Sequence, residues 1–116
     1  MAMAAIAVTI LVAVAHLYFL LLEMFLWQKP RGLKTFGQSA EQAAQTAVLA
    51  KNQGLYNGFL AVGLLWTLTT GDTKTRLYFL GCVAVAGAYG AMTVNRRILF
   101  VQAVPALIAI ALTLLG

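Results

Sequence analysis

The sequence predicts an all-α fold: an integral membrane bundle of four antiparallel transmembrane helices forming one domain over residues 1–116. Three observations carry that expectation. Hydrophobic residues make up 62% of the chain and charged residues only 9%, whereas a soluble domain has about 45–50% and about 25%. The apolar residues fall into four runs, at about 4–27, 46–69, 77–94 and 98–115. Each is near the roughly 20 residues that cross a hydrocarbon core of about 30 Å. The basic residues behind the net charge of +5 lie mostly in the short gaps between runs. That is the pattern of membrane topology, not of nucleic-acid binding. In lipid each span must satisfy its own backbone groups, so each is read as a helix.

The first run has no basic segment ahead of it and continues to Trp27. It is therefore read as a retained transmembrane helix, not a cleaved signal peptide. It carries His16 and Glu23, seven residues apart and so on one helical face. The first gap opens with Lys29, Pro30, Arg31 and Gly32, which end the helix. Ser39 and Gln42 then have the spacing of a capping box, which allows the second helix to begin near Ala40 with an interfacial first part.

The second run opens on Asn52-Gln53-Gly54-Leu55-Tyr56-Asn57-Gly58. Amides and a phenol at the head of an apolar helix are costly in lipid unless they find partners inside the protein. Asn52 with Tyr56 and Gln53 with Asn57 are i,i+4 pairs forming one polar face. Gly54 and Gly58 mark a close approach of another backbone or a ligand. A tight turn at Gly71 and Asp72 leads to the third run, which is rich in small residues. Its pairs Ala86/Gly90 and Gly87/Ala91 suit close helix packing, and Tyr89 lies near its end. After Asn95, Arg96 and Arg97, the fourth run carries Gln102 one turn before Pro105, which is expected to kink the helix and free a carbonyl.

Helices joined by short gaps alternate in direction, so the first and third gaps share a side. That side holds Lys29, Arg31, Lys34, Lys51, Arg96 and Arg97, against Lys74 and Arg76 on the other. Six against two places the first side in the cytoplasm and both termini outside. Counted from the gaps at the rise of an α-helix, Glu23 lies roughly 7 Å inside, Gln102 about as deep, and His16 and Asn57 roughly 15–18 Å. The polar groups thus fall in the cytoplasmic half, as the walls of one pocket would. The candidate ligand-binding residues are Glu23, His16, Asn52, Gln53, Tyr56, Asn57, Gln102 and Tyr89, with Glu23 and His16 as candidates for any catalysis.

The chain resembles a family of small bacterial membrane proteins known as a domain of unknown function, number 1304 of that series. The resemblance covers nearly the full length. It rests on His16, Leu22-Glu23-Met24 and Trp27, on Phe36-Gly37, and on Asn52 through Ala61. It continues in Ala86 to Ala91, Val101-Gln102 and Pro105-Ala106, with Ala103 where the family usually has Gly. It implies a four-helix integral membrane protein of the bacterial cytoplasmic membrane and no particular activity.

Several functions compete. In the leading one, the pocket binds or transports a small solute or cation, with Glu23 taking a proton or cation and the chain pairing as a homo-oligomer. In a second, it is an intramembrane enzyme acting on a lipid or apolar small molecule, with Glu23 and His16 as acid and base. In a third, it is a structural or accessory subunit whose polar cluster only holds helices together. One His with one carboxylate is a thin ligand set for zinc, and a lone His16 without CxxCH is weak support for haem. No metal is expected, and the cofactor is unknown. Cys82, the only cysteine, forms no internal disulfide. The expected partners are the lipid bilayer and a small-molecule ligand, with no nucleic acid.

Overall fold

The computed structural model describes residues 2–116, and every regular element in them is helical. The order is α1 (Ala2–Met24), α2 (Pro30–Phe36), α3 (Ala40–Thr70), α4 (Thr73–Thr93), a π-helical turn (Leu99–Ala103) and α5 (Val104–Leu115). The four apolar runs are all helical, but their ends differ from the expected ones, for local reasons.

The first helix stops at Met24, not Trp27. The amides of Phe25 and Leu26 both donate to the Leu21 carbonyl at 3.0 Å, which closes the ladder. Pro30 then disfavours helical geometry at Lys29, which is extended at φ −87, ψ 163. Sequence reading left residues 28–45 largely as a gap, yet α2 forms inside it. Pro30 suits the first turn, where its missing N–H would have had no partner anyway, and Gly37 ends the helix at φ +61. Gly32 does not terminate a helix; it lies buried within α2, where a Cβ would collide with the Leu26 and Trp27 carbonyls.

Ser39 and Gln42 form the capping box. The Gln42 amide donates to Ser39 Oγ at 3.1 Å, and the Ser39 amide to Gln42 Oε1 at 3.0 Å. The helix they start, α3, therefore begins at Ala40 and runs for 31 residues. At the next turn, Asp72 caps α4 by accepting from the Thr75 amide and, at 2.6 Å, from its hydroxyl. The third long helix thus starts at Thr73 and not at residue 77. Arg76, expected in the turn, lies in its first turn and is buried, with Nε lacking a hydrogen-bond partner.

Along the chain the helices divide into two units: Val14–Ala61, and the residues up to Ala13 together with Val62–Gly116. In the first unit, α1 and α3 run antiparallel, since Leu20 meets Gly58, Met24 meets Gly54, and Trp27 Nε1 donates to Thr46 Oγ1 at 3.1 Å. In the second, α4 packs against the π-turn and α5. A Cβ on Gly87 would lie 2.6 Å from the Ala103 nitrogen, and one on Gly90 3.1 Å from Ile98 Cγ2. Gly87 and Gly90 are therefore used for packing within the chain, whereas Ala86 and Ala88 are exposed.

Large apolar side chains are exposed on every long helix: Leu11 and Val14 on α1, Val62 and Trp66 on α3, Tyr78 and Val85 on α4, Leu107 and Leu114 on α5. The buried set is smaller and more polar, including Thr9, His16, Asn57, Thr67 and many alanines. Among the described residues one helix, α1, is by itself long and apolar enough to cross a membrane, a test that signal sequences also pass. Only 33% of its most apolar stretch is buried.

Candidate functional site

Helix α1 buries Ala5, Thr9, Val12, Ala13 and His16. These spacings of three and four residues define one stripe of a 3.6-residue helix, and Glu23 continues it. Helix α3 buries Ala43, Ala50, Gly54, Asn57 and Ala61 at the same kind of spacing. That seam is almost bare of side chains. A Cβ on Gly54 would stand 2.6 Å from Met24 Cγ, 3.2 Å from Glu23 Cβ and 3.3 Å from the Leu20 carbonyl oxygen. A Cβ on Gly58 would stand 2.7 Å from Leu20 Cδ1. The two glycines are the space into which the end of α1 fits.

Asn57 is the polar exception on that seam. It is buried, and its Nδ2 donates to Glu23 Oε1 at 2.5 Å. The amide presents its NH2 group to the carboxyl oxygen, which accepts. Glu23 itself is half-buried and lies in the last turn of α1, because that helix ends one residue later. The carbonyl end of a helix carries partial negative charge and disfavours an acid. The Asn57 donor offsets that disadvantage. The pair is thus built by three sequence features at once: an early helix stop, a small-residue seam and a single amide on it.

The other candidates divide. His16 is 1% exposed and meets Phe19 edge to face, ring centroids 5.1 Å apart. It lies on the same stripe as Glu23, about 10 Å away along the axis at the rise of an α-helix. Asn52, Gln53 and Tyr56 are exposed on α3, so of the predicted polar face only Asn57 turns into the seam. Tyr56 instead packs edge to face on Phe59, 5.9 Å between centroids. Gln102 and Tyr89 belong to the other unit. Gln102 is half-buried in the π-turn, and Tyr89 is exposed on α4. Sequence reading gave no side-chain contact to Thr46, which orders Trp27, or to Arg31, whose Nη1 donates to Tyr18 Oη at 3.1 Å. The capping-box spacing that starts α3 at Ala40 was the available signal for Thr46.

A cleft of about 370 Å³ lies beside the end of α1, lined by the apolar Met24, Phe25, Trp27 and Ala47 and by the polar Gln28, Lys29 and Lys51. Its two lysines make it cationic.

These features define a class: an all-helical protein with an apolar N-terminal helix whose one acid is held by an amide on the next long helix. Residues 10–114 match the family described as "Protein of unknown function (DUF1304)", and the chain belongs to that family. It is also 30% identical over 110 residues to "Uncharacterized protein YpaA" of Lactococcus lactis subsp. lactis (strain IL1403), covering 90% of this chain and 92% of the relative. No solved structure matches it.

Proposed function

We propose that the protein crosses the cytoplasmic membrane four times and binds or transports a small solute or cation at Glu23 and Asn57. The observation that carries this reading is the Asn57–Glu23 hydrogen bond on an otherwise apolar seam. An acid within a membrane span is costly and marks function by default. Four crossings are supported by length and by surface. Helices of 23, 31 and 21 residues span about 35, 46 and 32 Å, enough for a core of about 30 Å. Residues 97–115 reach a similar length. Exposed leucine, valine and aromatic side chains cover all of these helices, a surface that suits lipid and not water. The tie between Glu23 and Asn57 also supports α1 as a retained span, since removing it would strip Asn57 of its partner.

A second reading is favoured by the same bond. The carboxylate already has a donor and the glycines already receive α1, so the pair serves equally well as a lock between helices. An intramembrane enzyme has less support. His16 and Glu23 are two turns apart on one helix, too far for direct proton exchange.

Glu23→Gln separates the first two readings, because glutamine can still accept from Asn57 but carries no charge. Full-length protein would be placed in vesicles holding a pH-sensitive dye and challenged with sodium, potassium or tetraphenylphosphonium ions. Wild type is expected to couple an imposed cation gradient to lumenal pH, and Glu23→Gln to lose that coupling with its melting temperature nearly kept. Equal traces from both proteins would leave only the lock.

A further inference from the structure

We propose that the cleft beside the end of α1 is a headgroup site for an anionic phospholipid of the cytoplasmic leaflet. The inference rests on the membrane reading above but concerns a different place from Glu23 and Asn57.

The cleft has two chemistries. Met24, Phe25 and Ala47 give its lining apolar surface, and Lys29, Lys51 and Gln28 give it polar groups. At about 370 Å³ it falls within the range of small-molecule sites, about 300–1,000 Å³. Its position is set by the chain. Lys29 is in the turn forced by Pro30, and Lys51 is on α3, eleven residues past Ala40, where that helix starts. Trp27, which also lines the cleft, is held through Nε1 by Thr46 and packs at a tilt on Phe36, ring centroids 4.8 Å apart. A tryptophan so placed is at home at the level of lipid headgroups.

Among the described residues, no acid lines the cleft beside its two lysines. Of the three acids, Glu23 directs Oε1 to Asn57, Asp72 caps α4, and Glu41 is in the first turn of α3, more than two turns before Lys51. Two ammonium groups and an apolar lining in one cleft complement a ligand with a phosphate at one end and methylenes at the other. An anionic lipid meets that description better than a zwitterionic one, whose own cation would be repelled. Basic clefts at the cytoplasmic ends of membrane helices bind lipid phosphates in this way.

The test uses the full chain in detergent, titrated with phosphatidylglycerol, phosphatidylcholine or inorganic phosphate, with retained lipid read by native mass spectrometry and melting temperature read in parallel. Phosphatidylglycerol is expected to be retained and to raise the melting temperature, and the other two to do neither. Removing one charge should weaken phosphatidylglycerol binding about fivefold, the equivalent of about 1 kcal/mol per lysine near an anionic surface. Lys29→Gln with Lys51→Gln should weaken it about 25-fold on the same basis, whereas the double arginine variant should retain it. Lys74→Gln, at the exposed start of α4, should change nothing. Equal retention of both lipids by wild type, full retention by the double glutamine variant, or equal stabilisation by inorganic phosphate would each overturn the site. If the protein leaves the membrane fraction on alkaline extraction, the membrane reading itself fails; if it stays but shows no lipid preference, only the headgroup site fails.

Discussion

Gly54 and Gly58 have the same role and unequal tolerance. Both leave room on α3 for the end of α1, and in a helix either glycine costs about 0.5–1 kcal/mol relative to alanine. The neighbours decide the difference. A methyl on Gly58 meets one terminal methyl of Leu20, which can rotate away. A methyl on Gly54 meets Met24 Cγ, Glu23 Cβ and a backbone oxygen, which yields only if α1 moves. Gly58→Ala is therefore expected to be nearly neutral in thermal unfolding, while Gly54→Ala is expected to cost about 1–3 kcal/mol, as overpacking does. Gly54→Ala should also disturb the Glu23–Asn57 bond, because the added methyl crowds the Glu23 Cβ at 3.2 Å as well as clashing with Met24 Cγ. A melting curve for each variant checks the order; equal losses would show that the two glycines are not distinguished by what they face. The close approach was legible from the spacing of two glycines in a polar stretch. Its partner on α1 was not, because the register of two helices depends on which side chains fill which gaps.

At the level of elements, apolar runs identified the long helices and missed what lies between them. Helix α2 is seven residues long and mostly exposed, so it has no hydropathy signal. Its Pro30 reads as a helix end when it is in fact a helix start. The early part of α3 was legible only through Ser39 and Gln42, since Ala40–Gln45 is helical by propensity and capping and not by hydrophobicity. The fourth run hid its π-turn. There the Val104 amide donates five residues back, to Leu99, and Pro105 follows with no amide to give. Sequence reading expected a disturbance at Pro105; the widened turn places it just before that residue and puts Gln102 inside it. The start of α4 yields a pH prediction. The Thr75 hydroxyl, then its backbone amide, holds the exposed Asp72 carboxyl below its ordinary value of 3.8. A depressed folded value means that the ionised carboxyl contributes stability above the unfolded value and loses it as pH falls through the folded one. The melting-temperature advantage of wild type over Asp72→Asn is thus expected to be constant from neutral pH down to about 4–5 and to shrink below that. An advantage that grows on acidification would contradict the cap.

For the molecule as a whole, the four-crossing proposal makes a prediction about orientation that the side chains sharpen. The first and third connections hold Lys29, Arg31, Lys34, Arg96 and Arg97, and Lys51 follows on α3, all of them exposed. The second connection offers less than its sequence suggested. Arg76 is buried in α4, and the exposed Lys74 stands beside the exposed Asp72. The effective contrast is then six accessible basic charges against one, and one neighbouring acid stands beside that one. Short-loop basic residues set orientation, with acids contributing little. Both termini are accordingly expected outside the cytoplasm. Fusing alkaline phosphatase, active only outside, to the C-terminus should give strong activity, and a fluorescent protein that matures only inside should stay dark there. Moving the balance should move the molecule: replacing Arg96 and Arg97 with glutamine while adding three lysines beside Lys74 should raise the inverted fraction. If the C-terminal fluorescent fusion is bright in the unaltered chain, the basic connections face outward, and the cleft at Lys29 and Lys51 faces outward with them.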